Sequence, residues 1–156
     1  MSADLVPESR AYRHITCGSE TVVGGQSFEV VSNPMSSMEQ TKCSMCNAMF
    51  PISDYVWADT DENLSDYYAR HTTTATDLQR LLCSKKMMVG LVAVSALAAA
   101  AGVYVLVAND DLFTRTICLL GGLMIGAFIG ATLFLHVFAN PITRKVCGVR
   151  DTRLLR

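Results

Sequence analysis

Polar and apolar positions divide this chain in two. Before Met87 the sequence is polar, short of Leu and Ile, and broken by Ser, Thr, Asp and Gly; from Met87 to Ala139 it is almost continuously apolar. Met87 to Ala108, MMVGLVAVSALAAAAGVYVLVA, carries no charge. At about 1.5 Å of rise per residue, a helix of that length crosses a hydrocarbon core of about 30 Å. A second run, Thr116 to Ala139, is uncharged apart from the proton that His136 can take up. The segment between them, NDDLFTR, suffices only for a tight polar turn. The pattern therefore predicts a mainly α membrane protein, with an antiparallel transmembrane hairpin (spans 87–108 and 116–139) in a lipid bilayer. Two such helices buried in a soluble protein would need a larger polar shell than the rest of the chain supplies.

The second span contains GLMIGAFIG, which sets Gly122, Gly126 and Gly130 four residues apart on one stripe of a helix. Such a stripe lets another helix approach closely. The first span offers a small-residue face in Ser95, Ala98, Ala99 and Gly102. Two uses of the stripe stand open: packing of the two spans on each other, or assembly into a homo-oligomer or a larger membrane complex. No carboxylate lies between Thr116 and Ala139, which argues against a proton-carrying rotor hairpin. His136, near the end of the span, reads as an interfacial anchor.

The polar half divides further. Residues 1–40 form a polar N-terminal region in which ETVVGGQSFEVV, residues 20–31, reads as a β-hairpin turning at Gly24-Gly25. Residues 41–86 hold a C-x-x-C knuckle, an acidic linker and a juxtamembrane helix DLQRLL. A capping box of Thr76 and Gln79 starts that helix, which is expected to run straight into the first span. Asp59, Asp61 and Asn63 imitate the opening of a calcium loop, but Leu64 replaces its glycine and Arg70 its final Glu. Much of this half reads as partly disordered. Residues 140–156 form a basic tail.

Net charge is −1, but it conceals an acidic middle and a tail with Arg144, Lys145, Arg150, Arg153 and Arg156. No pervasive basic surface exists, so nucleic acid is not an expected partner; anionic lipid headgroups at the tail are. Arg70, Arg80, Lys85 and Lys86 before the first span, and the basic tail after the second, place both termini in the cytosol. Asn63-Leu64-Ser65 is then a glycosylation sequon that stays unused. No cleavable signal peptide is visible at the start. Spans rich in Ala and Gly suit a thinner endomembrane, and DLQRLL and Tyr12–Ile15 resemble endosomal sorting signals. A late endosome or lysosome is the favoured site, with the mitochondrial inner membrane as the alternative.

Six cysteines are scattered too widely for a secreted disulfide framework. In KCSMCNAMFPI, Cys43 and Cys46 can supply two of the four ligands of a zinc ion. Cys17 is the best third ligand, and Cys83, His14 and His71 are the other donors within reach of the pattern. Two ordinary reduced thiols, or a redox pair, are the competing readings; the redox pair lacks a surrounding βαβ pattern. Cys83 and Cys147 sit where juxtamembrane palmitoylation occurs, or remain plain thiols.

Lys42, Cys43, Cys46, Asn47, Pro51 and Ile52 resemble the K-C-x-x-C-N-x-x-x-P-I stretch of the transmembrane phosphatidylinositol-4,5-bisphosphate 4-phosphatases of late endosomes and lysosomes. The layout is similar too, with a cysteine-bearing cytosolic region, a two-helix hairpin and a small tail. The resemblance implies phosphoinositide phosphatase activity. That family carries further C-x-x-C pairs and a C-x5-R signature ahead of the membrane, whereas here the C-x5-R is CGVRDTR, Cys147 to Arg153, in the tail. A thiolate at Cys147 would attack phosphorus while Arg153 held the phosphate oxygens. The leading expectation is nevertheless a non-catalytic two-pass scaffold or adaptor, or a small complex subunit, that associates through the Gly122/Gly126/Gly130 face. The phosphatase and an accessory subunit of a mitochondrial membrane complex are the alternatives.

Overall fold

The computed structural model describes residues 6–156. They fall into two compact units: the chain up to Asp77 together with Ile142–Arg156, and Leu78–Pro141. The fold is mostly helical, with a small N-terminal β region.

The first unit is built on an antiparallel sheet of order β2-β1-β5, from β1 (Ser9–His14), β2 (Glu20–Gly24) and β5 (Tyr55–Trp57). β1 is central: Tyr12 lies opposite Thr21 on one side and Trp57 on the other. A separate ribbon pairs β3 (Gln40–Cys43) with β4 (Ala48–Pro51). The hairpin expected at residues 20–31 does not form. β2 pairs with β1, and Gly25, at φ +54°, turns the chain into helix α1 (Gly25–Ser32). The physical reason lies in the buried positions Phe28, Val31 and Ser32, whose spacing of three and four residues is that of a helix face.

The core is aromatic where most domains use Leu and Ile. Tyr12, Phe28, Tyr55, Trp57, Leu64 and Tyr67 are fully buried in one cluster. The tyrosine hydroxyls then need partners, and they take backbone carbonyls. From helix α2 (Leu64–His71), Tyr67 donates to Ser32 O at 2.9 Å and Tyr68 to Val31 O at 2.7 Å. Two carbonyls that the end of α1 leaves without a helical partner are satisfied in this way. Tyr12 and Tyr55 donate to Lys42 O and Thr41 O at 2.7 and 3.1 Å, which ties the sheet to β3. Asn63 caps α2 by accepting from Ser65 N–H at 2.8 Å, and its amide donates to Ser53 O, so the sequon side chain is engaged. The acidic linker pairs with β1: Asp59 with Arg10 at 2.9 Å, and Asp61 with Arg13.

The C-terminal residues belong to this unit, which corrects the expectation of a separate tail. Leu155, 6 % exposed, joins the aromatic core, with Cys147 and Val149 packed against it. Ser32 and Thr152 hydroxyls meet at 3.3 Å, and Arg70 donates to Arg156 O at 3.0 Å. The region expected to be partly disordered is thus a folded domain closed by the far end of the chain.

The second unit holds α4 (Lys85–Leu106) and α5 (Leu112–Leu133), two helices long and apolar enough to cross a membrane. DLQRLL does form a helix, α3 (Asp77–Leu82), but it does not run into α4. Ser84 stops it and caps α4, accepting from Met87 N–H at 3.2 Å. The turn is shorter than expected because Asp111 caps α5 by accepting from Phe113 and Thr114 N–H at 3.0 and 3.1 Å. Arg115 donates to Ala108 O and Asp110 O, carbonyls of the turn between α4 and α5.

Gly122, Gly126 and Gly130 are buried against α4. A Cβ at Gly126 would lie 2.7 Å from Ala96 Cα, and one at Gly130 would lie 2.8 Å from Val92 Cα. No side chain fits there. The opposing face runs through Val92, Ser95, Ala96, Ala99 and Val103, not through Ala98 and Gly102 as expected; nothing lies within 4 Å of a Cβ built at Gly102. Beyond α5 the helix widens at Phe134–Ala139, where Asn140 N–H bonds to Leu135 O five residues back. The cause is Pro141, which lacks an N–H and would crowd the carbonyl four residues earlier in a regular α-helix. Helix α6 (Asn140–Cys147) follows.

Candidate metal centre

Two turns of the first unit face each other. β1 ends on His14, and a tight turn, with His14 N–H bonded to Ser19 O at 3.0 Å and Gly18 at φ +69°, presents Cys17. β3 ends on Cys43, and the turn into β4, with Asn47 at φ +51°, presents Cys46. Each turn thus carries two donors three residues apart, H-x-x-C on one and C-x-x-C on the other.

The four ligand atoms lie within 4.8 Å of one another. His14 Nδ1 is 3.2 Å from Cys17 Sγ and 3.8 Å from Cys46 Sγ, and Cys17 Sγ is 3.6 Å from Cys43 Sγ. A tetrahedron with Zn–S near 2.3 Å and Zn–N near 2.0 Å has S–S and S–N edges of about 3.8 and 3.5 Å. The S–N separations fall on either side of that edge and the S–S separation lies just below its own, so His14, Cys17, Cys43 and Cys46 could hold a metal ion such as zinc.

The ring of His14 is positioned by packing. It is 2 % exposed and lies between Phe50 and Tyr55, with centroids at 4.4 and 5.0 Å. Its Nε2 is buried without a hydrogen-bond partner, and the other ring nitrogen faces the three sulfurs. Cys43 is fully buried, whereas Cys17 and Cys46 are exposed, which leaves a route for an ion. The Cys46 backbone N–H, foremost, holds the Cys43 thiol below its ordinary pKa, assisted by the Cys17 side chain. Hydrogen bonding to Cys17, then to Cys43, pushes Cys46 up to about 11. A second negative charge among three close thiols is opposed until a cation neutralises it. Three thiolates and an imidazole fill a tetrahedron and leave no open position, which is the arrangement of a structural site.

The structure brings Cys17, Cys43 and Cys46, the candidate ligands of the sequence, together with His14, which the sequence offers as one donor among several. The signal that singles it out is its spacing to Cys17, which repeats that of the C-x-x-C. His71 and Cys83 lie outside the cluster. His71 ends α2, where its carbonyl faces Cys147 Sγ at 4.0 Å.

The other candidates are placed less favourably for their expected chemistry. Cys83 is 7 % exposed, and burial raises its pKa, so it is neither accessible nor nucleophilic enough for ready acylation. Cys147 is half-buried against the aromatic core. Arg153 is committed to Asp151, donating to its carboxylate at 3.0 and 2.7 Å and holding it below the usual carboxylate range. A phosphate loop needs the helix after the cysteine and an uncommitted arginine; here the helix precedes it. Gly122, Gly126 and Gly130 are brought together with α4 of the same chain.

No family model, curated protein or solved structure matches this chain.

Proposed function

We propose that the protein is a membrane-anchored adaptor in which a zinc-ordered cytosolic module is carried on a two-span hairpin. The observation that carries the reading is the composition of the module: its core draws on both flanks of the hairpin, with Leu155 packed among residues that precede the first span. A folded domain assembled from both flanks needs both ends of the hairpin on one side of the bilayer. The apolar outer surfaces of α4 and α5, such as Leu97, Met124 and Phe128, are cheaper in lipid than in water. Lys85 and Lys86 in the first turn of α4, and Arg144 and Lys145 after α5, favour the cytosolic side, where thiols stay reduced and available to zinc. The glycine stripe is filled by α4, so partner binding falls to the module and not to that face.

The test combines two measurements on the full-length protein. Native mass spectrometry of the detergent-solubilised chain is expected to show one zinc per chain, lost in Cys43→Ser and retained in Cys147→Ser. Protease treatment of sealed vesicles should cleave tags at both ends together, or protect both. A chain released by alkaline carbonate, or one tag cleaved with the other protected, would overturn the reading.

A further inference from the structure

We infer that the cleft between β2 and β3 binds an extended peptide segment bearing a carboxylate. The inference deepens the adaptor reading by naming its partner's chemistry, and rests on that reading for its purpose. The cleft lies wholly within the first unit and has a volume of about 670 Å3, inside the range of about 300–1,000 Å3 usual for ligand sites. Val23, Val31 and Met38 give it apolar lining, with Tyr12 beside them, and α1 adds Gln26 and Ser27. Near the cysteine turns the two walls are tied together, where Ser44 N–H donates to Thr21 Oγ1 at 3.2 Å and the two hydroxyls meet at 3.1 Å.

Both walls are strand edges. β2 is the outer strand of its sheet, and β3 pairs only with β4 among the described residues. Alternation along an antiparallel pair decides which main-chain groups each edge leaves free. In β1, Ala11 O accepts from Ala58 N–H on the β5 side, and His14 N–H donates to Ser19 O on the β2 side. The even-numbered residues of β1 therefore bond to β2, through Thr21 and Val23. Val22 then turns its N–H and C=O outward, as does Glu20, whose carbonyl accepts from Ser44 Oγ at 3.4 Å. In β3, Glu39 O accepts from Ile52 N–H on the β4 side. Gln40 and Lys42 consequently face the other way, and Lys42 O accepts from Tyr12 there. The main-chain groups of Gln40, in the lining, and of Val22, between the lining residues Thr21 and Val23, are left unpaired by any strand.

An added strand is the occupant that satisfies such groups, and alternate side chains of that strand would reach the apolar lining. A helix has no free main-chain groups to offer, and an acyl chain has none at all. Charge narrows the choice further. Lys42 is the sole Lys, Arg, Asp or Glu lining the cleft, and it forms no ion pair among the described residues. A carboxylate, from a chain terminus or from an Asp or Glu side chain, complements it.

The test is fluorescence anisotropy of labelled pentapeptides of alternating Thr and Val, titrated with the full-length protein in nanodiscs. One peptide ends in a free carboxylate, one is amidated with an internal Glu, and one is amidated and uncharged. A fourth repeats the best binder with alternate amides N-methylated. At least one carboxylate peptide is expected to bind about tenfold or more tightly than the uncharged one, and which of the two prevails identifies the source of the carboxylate. N-methylation on the edge-facing amides should abolish binding. Lys42→Ala and Val22→Pro should each weaken it about tenfold, the proline removing an N–H that no ladder bond uses. The inference is overturned if neither carboxylate peptide binds below about 1 mM to protein with a normal melting curve, if binding ignores both variants and N-methylation, or if dodecanoate binds where the peptides do not. A chain that proves zinc-free or soluble sinks the adaptor reading and leaves this titration readable.

Discussion

His14 and His71 show how one residue type takes two roles through its surroundings. At His14, packing between Phe50 and Tyr55 aims one ring nitrogen at three sulfurs. At His71 burial, aided by the Arg70 charge, holds the pKa below the ordinary 6.5. The unfolded chain then takes up that proton at a higher pH than the folded one, so this contribution to stability is complete above about pH 6.5 and lost as pH falls through that value toward the folded pKa. Melting curves between pH 7.5 and 6.0 should show wild type losing more stability than His71→Gln; equal losses would remove His71 as the cause. The tyrosines carry the other residue-scale prediction. Tyr67→Phe and Tyr68→Phe each leave a buried carbonyl at the end of α1 unsatisfied and should cost about 1–3 kcal/mol in denaturant unfolding. A cost near zero for both would mean that water reaches those carbonyls.

At the scale of elements, the glycine stripe decides how α4 and α5 meet. Helix association in lipid gains from close backbone approach, not from burial of apolar surface. Gly126→Leu should therefore separate the helices and expose the chain to proteolysis, whereas Gly121→Leu should be tolerated, because nothing lies within 4 Å of a Cβ there. Protease resistance in micelles reads the difference, and equal sensitivity of the two variants would contradict the packing. The two long apolar helices were legible because apolar composition over more than twenty residues is a long, redundant signal. The β-hairpin at residues 20–31 was misread because Val22-Val23 and Val30-Val31 look alike in composition, and only the burial of Phe28 and Val31 on one face separates helix from strand. β1 escaped notice for a related reason: SRAYRH buries Tyr12 and His14, both of which read as polar.

On the scale of the whole molecule, the C-terminal segment completes a domain begun by β1 and β2. Leu155→Ala should destabilise the first unit by about 2–5 kcal/mol, the usual cost of truncating a core leucine. Removing residues 150–156 should cost more, through the loss of Thr152 and the Arg156 carbonyl as well. Hydrogen exchange in β1 and α2 measures this directly; unchanged protection in both would show that the tail is ornamental. Composition marks residues 140–156 as a basic tail for anionic headgroups, whereas in the fold Arg153 pairs with Asp151 and Thr152 faces Ser32.

Two properties of this protein were settled by the order of its residues alone: a pair of helices apolar enough for lipid, and a C-x-x-C able to begin a metal site. Both depend on local composition or fixed spacing, which the chain carries wherever it folds. The identity of the fourth candidate donor, the partner of the glycine stripe and the membership of the C-terminal segment in the N-terminal domain were decided by tertiary structure. Each joins residues distant in sequence, such as Arg10 with Leu155 O at 3.4 Å, and a polar aromatic core hides its inward face behind residues that also suit water.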